Sequence, residues 1–173
     1  MGFLKNLFGK SSQESKTSQA IETEKNTIYS PLKGTVIPLK EIGDGVFSEG
    51  ILGQGCGIKP DCEEVVAPCD GEITSVTDTL HAISIRSMDG VEVIIHVGMD
   101  TVAMNGKGFK VHVKVGDRVK CGQRLMNFSK KAIAEAGFVD TTAVIVINTE
   151  EYESVDVLHT GDTQVSEKIL QVK

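Results

Sequence analysis

The sequence predicts an all-β domain, a sandwich or barrel, with one short helix and a flexible N-terminal tail. Three observations predict it. The apolar runs are short and β-branched, and Gly, Asp and Asn punctuate them. Glycine is abundant, at 18 residues, while aromatic residues make up only 5% and tryptophan is absent. A turn motif also recurs: Ser30-Pro31-Leu32-Lys33-Gly34-Thr35-Val36 echoes Ala67-Pro68-Cys69-Asp70-Gly71-Glu72-Ile73. Each copy is a small residue, Pro, two variable positions, Gly, one variable position and an aliphatic residue, so Pro enters a turn and Gly leaves it. Two copies point to a duplication, not an open repeat array.

The strand candidates are Gly34-Thr35-Val36-Ile37, Glu64-Val65-Val66-Ala67, Ile83-Ser84-Ile85, Val91-Glu92-Val93-Ile94-Ile95 and Ala143-Val144-Ile145-Val146-Ile147. From residue 27 to the end one segment, Lys130–Glu135, has helical propensity and reads as a single short helix. The chain has 173 residues, 40% of them hydrophobic and 24% charged, which excludes a wholly disordered, collagen-like or membrane-spanning protein. A net charge of -6 without a basic stripe excludes nucleic acid and favours a basic protein partner or a cation. Cys56, Cys62, Cys69 and Cys121 form no Cys-x-x-Cys and fit no zinc module, so they read as free thiols in a reducing cytosol.

The tail is expected over residues 1–26 and the folded domain over 27–173. Phe3, Leu4, Leu7 and Phe8 would share one face of a helix over residues 2–10, with Lys5 and Lys10 beside it. That stretch is too short to span a membrane and lacks a signal peptide's apolar core. Asn6 stands where N-myristoylation needs Ser or Thr. The helix reads either as a weak interfacial anchor on anionic lipid or as a frayed terminus. Residues 11–26 are nearly all polar and read as a solvated linker.

The chemistry concentrates in one hairpin, His81 to Gly98. A two-residue loop at Asp89-Gly90 sets Ile83 opposite His96; a loop at Met88-Asp89 sets His81 opposite His96. Either register puts both histidines on one face, which Ile83, Ile85 and Ile94 would share. Neighbouring imidazoles on an apolar surface both stay neutral near pH 7. A neutral ring nitrogen is a nucleophile, and its neighbour can donate to developing charge. Three readings follow: satisfied partly buried histidines, a metal site needing further ligands, or nucleophilic phosphoryl chemistry. Asp100 could orient an imidazole, bind a partner's arginine, or cap a turn. His112 reads as an outward strand residue and His159 as part of a loop, neither catalytic.

Thr79-Leu80-His81-Ala82-Ile83, His96-Val97-Gly98-Met99-Asp100-Thr101-Val102 and Gly106-Lys107-Gly108-Phe109 together resemble the glucose-type enzyme IIA of the phosphoenolpyruvate-dependent sugar phosphotransferase system. The segments from Val46 to Gly55 and from Val66 to Gly71 also fit, and the resemblance runs from about Ile28 to the C-terminus. It implies an antiparallel β-sandwich or distorted barrel of the duplicated hybrid motif type. It implies a cytoplasmic phosphocarrier that takes a phosphoryl group from the histidine phosphocarrier protein and passes it to the cysteine of a IIB domain of a membrane sugar permease. On it, His96 is the phosphorylated nucleophile, His81 stabilises the phosphoryl group, and Thr79 hydrogen-bonds in their network. Val46, Phe47, Ile51, Leu52, Ile94 and Val102 become the docking patch, with Asp100 on its rim.

No cofactor is required on this reading. Zinc would be held by His81 and His96 only at a partner interface, because two ligands leave the site open. Regulated target proteins and weak contact of the N-terminal helix with the inner membrane face are further expectations, and a monomer is expected. Thr77 and Ile94 stand where members often carry larger aromatic residues, and the chain is expected to carry no fused IIB domain, so that it would need its partners in trans. Two rivals remain. A zinc metallopeptidase would use the His-x-x-x-Asp of His96 and Asp100, but Lys110 and Lys114 flank His112 where a second histidine is needed. A non-catalytic binding module is hinted at by residues 113–123, which look like a biotinyl or lipoyl turn without its modified lysine.

Overall fold

The computed structural model of the chain describes residues 20–173, so the helix expected over residues 2–10 lies outside the described residues. Chain order gives β1 (Thr27–Tyr29), β2 (Gly34–Pro38), β3 (Gln54–Pro60), β4 (Glu64–Val66), β5 (Gly71–Val76), β6 (Ala82–Ser87) and β7 (Glu92–His96). After a 3-10 turn at Thr101–Met104 come β8 (Phe109–Val111), β9 (Arg118–Val119), β10 (Arg124–Phe128), α1 (Lys130–Glu135), β11 (Thr142–Val146), β12 (Val155–Val157), β13 (Gly161–Thr163) and β14 (Lys168–Val172). Just ahead of β1, the Glu24 N–H donates to the Tyr29 hydroxyl at 2.9 Å and the Asn26 N–H to the Asp89 carboxylate at 3.0 Å.

All pairings are antiparallel, in an eight-stranded sheet ordered β13-β2-β3-β11-β7-β6-β5-β9 and two three-stranded sheets, β1-β14-β12 and β4-β10-β8. The ends of the large sheet, β13 and β9, do not pair with each other, so no barrel closes among the described residues. The one α-helix among the described residues, α1, falls where propensity places it. The Ser129 hydroxyl caps it by accepting from the Ala132 N–H at 3.0 Å, and Gly137, at φ +83°, follows its end.

The eight-stranded sheet is buried on both faces where β11 runs. Val144 and Val146 join Val93, Ile95, Ile83 and Ile85 in the main core. Ala143 and Ile145 point the other way, into a smaller cluster with Phe47 and Met99. Burying each such isoleucine or valine contributes roughly 1.5–3 kcal/mol. This doubly covered strand explains the uninterrupted apolar run at residues 143–147.

The recurring turn is a true structural duplication. Tyr29 N–H donates to Pro68 O at 2.8 Å, and Val66 N–H returns a bond to Pro31 O at 2.7 Å. Gly34 opens β2 and Gly71 opens β5; a Cβ on either would lie 2.1 Å from a backbone oxygen of the neighbouring strand, of Lys59 or Arg86. The symmetry extends further than the motif. Gly122 N–H donates to Ala67 O, and Ser166 N–H to Ser30 O, both at 2.9 Å. Gly122 and Ser166 are left-handed, at φ +88° and +67°. The lipoyl-like segment is therefore one of two equivalent turns, leading into β10 as its counterpart leads into β14.

Candidate active site

His96 is the last residue of β7, on the small-cluster face of the large sheet. Its register partners are Ala82 on β6 and Ala143 on β11. Two alanines flanking one imidazole leave room for the ring to stand on the sheet surface. The Phe47 ring covers one side, with centroids 4.9 Å apart.

The hairpin itself differs from both expected registers. Its loop is the three residues Met88-Asp89-Gly90, closed by Ser87 N–H to Val91 O at 2.8 Å and Gly90 N–H to Ser87 O at 3.0 Å. Gly90 takes φ +92°, the left-handed residue that ends a three-residue hairpin loop. His96 therefore opposes Ala82, not Ile83 or His81. Ile83 and Ile85 belong to the opposite, core face; of the three isoleucines only Ile94 shares the face of His96.

The histidines meet for another reason. β6 starts at Ala82, and Leu80 just before it is left-handed at φ +61°. That bend frees His81 from the alternation of the strand. Its backbone C=O is still held by the Val97 N–H at 2.8 Å. The two imidazole centroids lie 4.6 Å apart, edge to face at 82°. The Phe109 ring sits 6.5 Å from the His81 ring, centroid to centroid.

Hydrogen bonds set the tautomers. His96 Nδ1 lies 2.8 Å from Gly98 O. A carbonyl only accepts, so Nδ1 carries the proton and Nε2 keeps its lone pair. His81 Nδ1 lies 2.8 Å from the Thr79 hydroxyl. When that hydroxyl donates, His81 presents Nε2–H. Burial, then the neighbouring His81, push the His96 pKa down to about 4 against the opposing Gly98 carbonyl. Burial also lowers the pKa of His81, against an opposing backbone bond at Thr79. The pair is neutral at physiological pH, one ring offering a lone pair and its neighbour an N–H.

Gly98 makes this turn possible. It adopts φ +78°, and an added Cβ would lie 2.4 Å from Thr101 Cγ2 and 3.0 Å from Val139 O. Thr101 is buried and donates its hydroxyl to Val97 O at 2.6 Å. Met99 N–H donates to Val139 O at 2.9 Å. Asp100 is left-handed and exposed, and its side chain makes no capping bond, which removes the cap reading.

Val46, Ile51, Leu52 and Val102 are exposed, and Ile94 is half-buried. Phe47 differs from the other patch residues: only 6% exposed, it supports the patch and packs on His96. The Asp44 carboxylate accepts N–H bonds from Val46, Phe47 and Ser48 at 3.2, 3.1 and 3.0 Å, which fixes the loop and holds the Asp44 pKa below the usual carboxylate range despite partial burial. Sequence reading missed exposed Val139, which pairs with Met99, and the two flanking alanines. Ala143 is set by the register of β11, Ala82 by the true loop of the β6–β7 hairpin, and Val139 by an isolated bridge outside the strands.

Among the described residues no group of three or more His, Cys, Asp or Glu is arranged to hold a metal. His81 and His96 offer at most two Nε2 ligands, His81 only after losing its Nε2 proton, and no third ligand gathers with them, so they do not make a zinc site from this chain alone. His112 lies just beyond β8, in another sheet, exposed and bonded through Nε2 to Asn127 Oδ1 at 2.6 Å. The metallopeptidase ligand set is not assembled. All four cysteines are free, and burial raises the Cys56 thiol to about 12 and the Cys121 thiol to about 11. No helix among the described residues is long and apolar enough to cross a membrane.

Residues 26–152 match the family model for the phosphoenolpyruvate-dependent sugar phosphotransferase system, EIIA 1. The chain is 39% identical over 152 residues to a PTS system glucose-specific EIIA component of Oceanobacillus iheyensis, covering 87% of this chain and 92% of the relative. It is 43% identical over 149 residues to a PTS system beta-glucoside-specific EIIBCA component of Bacillus subtilis, covering 86% of this chain but only 24% of that longer protein. Among solved structures, the glucose permease IIA from Mycoplasma capricolum superposes with a TM-score of 0.78 at 27% identity, over 86% of this chain and 96% of that one. The chain belongs to the EIIA 1 family of the phosphoenolpyruvate-dependent sugar phosphotransferase system and is a phosphotransferase component of that system.

Proposed function

We propose that His96 Nε2 accepts the phosphoryl group of the histidine phosphocarrier protein and passes it to the cysteine of a IIB domain. A bond forms from the Nε2 lone pair to phosphorus as the donor's N–P bond breaks. The reverse exchange at the IIB thiolate regenerates neutral His96. Phosphoryl transfer asks little covalent work of the protein beyond position and charge stabilisation. His81 Nε2–H donates to the phosphoryl oxygens on a water-poor apolar surface, where such a bond is strong. Gly98 O holds the Nδ1 proton, which becomes more acidic once phosphorus is attached. The observation that carries the reading is the 2.8 Å bond from His96 Nδ1 to Gly98 O, because it leaves Nε2 as the free nucleophile beside His81.

The exposed side chains of Val46, Ile51, Leu52 and Val102 receive both partners, and Asp100 pairs with a basic group of the incoming carrier. The sugar is chosen by the permease. No cofactor takes part, and zinc binds His81 and His96 only where a partner adds ligands. Work in the cytoplasm, with residues 2–10 touching anionic lipid, and docking of regulated proteins in the unphosphorylated state complete the reading. Reconstituted transfer from phosphoenolpyruvate, followed by intact mass, tests it. The wild type gains one acid-labile phosphoryl group and His96→Ala gains none. An adduct that survives His96→Ala overturns the assignment.

A further inference from the structure

Thr77 lies outside the set of His96, His81 and Thr79, yet it closes the loop that carries both Thr79 and His81. Its N–H donates to Ala82 O at 3.1 Å, its C=O accepts from Leu80 N–H at 2.9 Å, and its hydroxyl oxygen accepts from Ala82 N–H at 3.1 Å. These bonds span a turn in which Leu80 holds a left-handed φ of +61°, a conformation that disfavours a branched side chain by roughly 1–2 kcal/mol. The Thr77 hydroxyl has one proton left to donate. Two acceptors lie at nearly equal distance, Ala82 O at 3.3 Å and His81 Nδ1 at 3.4 Å. With Thr79 bonded to Nδ1 at 2.8 Å, Nδ1 is already served and the Thr77 proton goes to Ala82 O.

We infer that Thr77 is a positioning residue for His81: it clasps the loop, and its hydroxyl is a reserve donor to His81 Nδ1. Switching acceptors needs only rotation about the C–O bond, with no movement of heavy atoms. His81 is buried to 5% exposure, so water is a poor substitute donor there. The two hydroxyls act as a redundant pair that keeps Nδ1 an acceptor and Nε2–H aimed at the phosphoryl group. The functional half of this inference rests on the phosphocarrier reading; the hydrogen-bond half does not.

Nitrogen NMR of His81 and the rate of phosphoryl hand-on, measured on the full chain, separate the possibilities. The variants are Thr79→Val, Thr77→Val, both together, and Thr77→Ser combined with Thr79→Val. In Thr79→Val the Nδ1 resonance stays at its hydrogen-bonded position. In the double valine variant it moves to the free position, and hand-on falls at least about tenfold beyond the product of the two single losses. Thr77→Ser in the Thr79→Val background restores both readouts. The inference is overturned if Thr79→Val alone moves Nδ1 fully to the free position, a comparison that survives even if the double variant does not fold. A double variant that folds and keeps the bonded position also overturns it. Failure of the wild type to accept phosphate instead sinks the phosphocarrier reading and leaves the Nδ1 comparison standing.

Discussion

His81→Ala still takes up a phosphoryl group on His96 but hands it on about a hundred- to a thousandfold more slowly, the loss typical when one preorganised donor to a developing oxyanion is removed. Uptake survives because the nucleophile is set by other groups: the Nδ1 bond to Gly98 O, and Ala82 and Ala143 on either side. Removal of the neighbouring imidazole also lifts one of the two influences that lower the pKa of His96, although burial, the larger, remains. Hand-on suffers because charge on the transferring oxygens loses the only imidazole N–H at this distance, 4.6 Å between centroids. Single-turnover transfer to an isolated IIB domain measures it. Equal loss of uptake and hand-on would show that His81 shapes His96 and does not stabilise the transfer.

Gly98→Ala damages the fold and the chemistry together. A left-handed alanine costs roughly 1–2 kcal/mol. Crowding of its Cβ against Thr101 Cγ2 at 2.4 Å adds about 1–3 kcal/mol, since Thr101 is buried and its hydroxyl is tied to Val97 O. For a domain of this size the melting temperature falls by roughly 5–15 °C. Any shift of the turn also pulls the Gly98 carbonyl from His96 Nδ1, and phosphoryl uptake drops about tenfold or more. Adding Thr101→Ser removes the crowded methyl and keeps the hydroxyl. It recovers part of the melting temperature, while the strain at residue 98 remains. Full stability in Gly98→Ala alone would mean that the turn tolerates a side chain.

What could be read from the sequence, and what could not, follows from the range of each interaction. The strand at residues 91–95 and the helix at Lys130–Glu135 were legible because propensity and pattern are local. The first half of the duplication was legible because Pro and Gly recur at the same spacing. Its second half was hidden, since Ser166 replaces the glycine seen at Gly122 and only the backbone angle is kept. The histidine pair is legible in the sequence, but its geometry is not. Alternation along an ideal hairpin predicts a shared face; the three-residue loop removes it, and the bend at Leu80 brings the rings together instead. The flanking Ala143 depends on β11, Ala82 on the three-residue hairpin loop and the burial of Phe47 on the Asp44 loop, none of which a local pattern specifies.

The central claim is a neutral His96 whose Nε2 lone pair is free at working pH. Long-range nitrogen–proton NMR of the unphosphorylated protein, followed from pH 8 downward, tests it most directly. The expected spectrum has Nδ1 protonated and Nε2 bare, with a midpoint near the lowered pKa of about 4 and not near the ordinary 6.5. The same shift makes a stability prediction. Between these values the unfolded chain binds the proton and the folded one does not. Stability from this group is therefore complete above about pH 6.5 and lost as pH falls toward 4, by at most about 1.4 kcal/mol per pH unit. A ring that titrates near 6.5, or one that carries its neutral-state proton on Nε2, would contradict the mechanism.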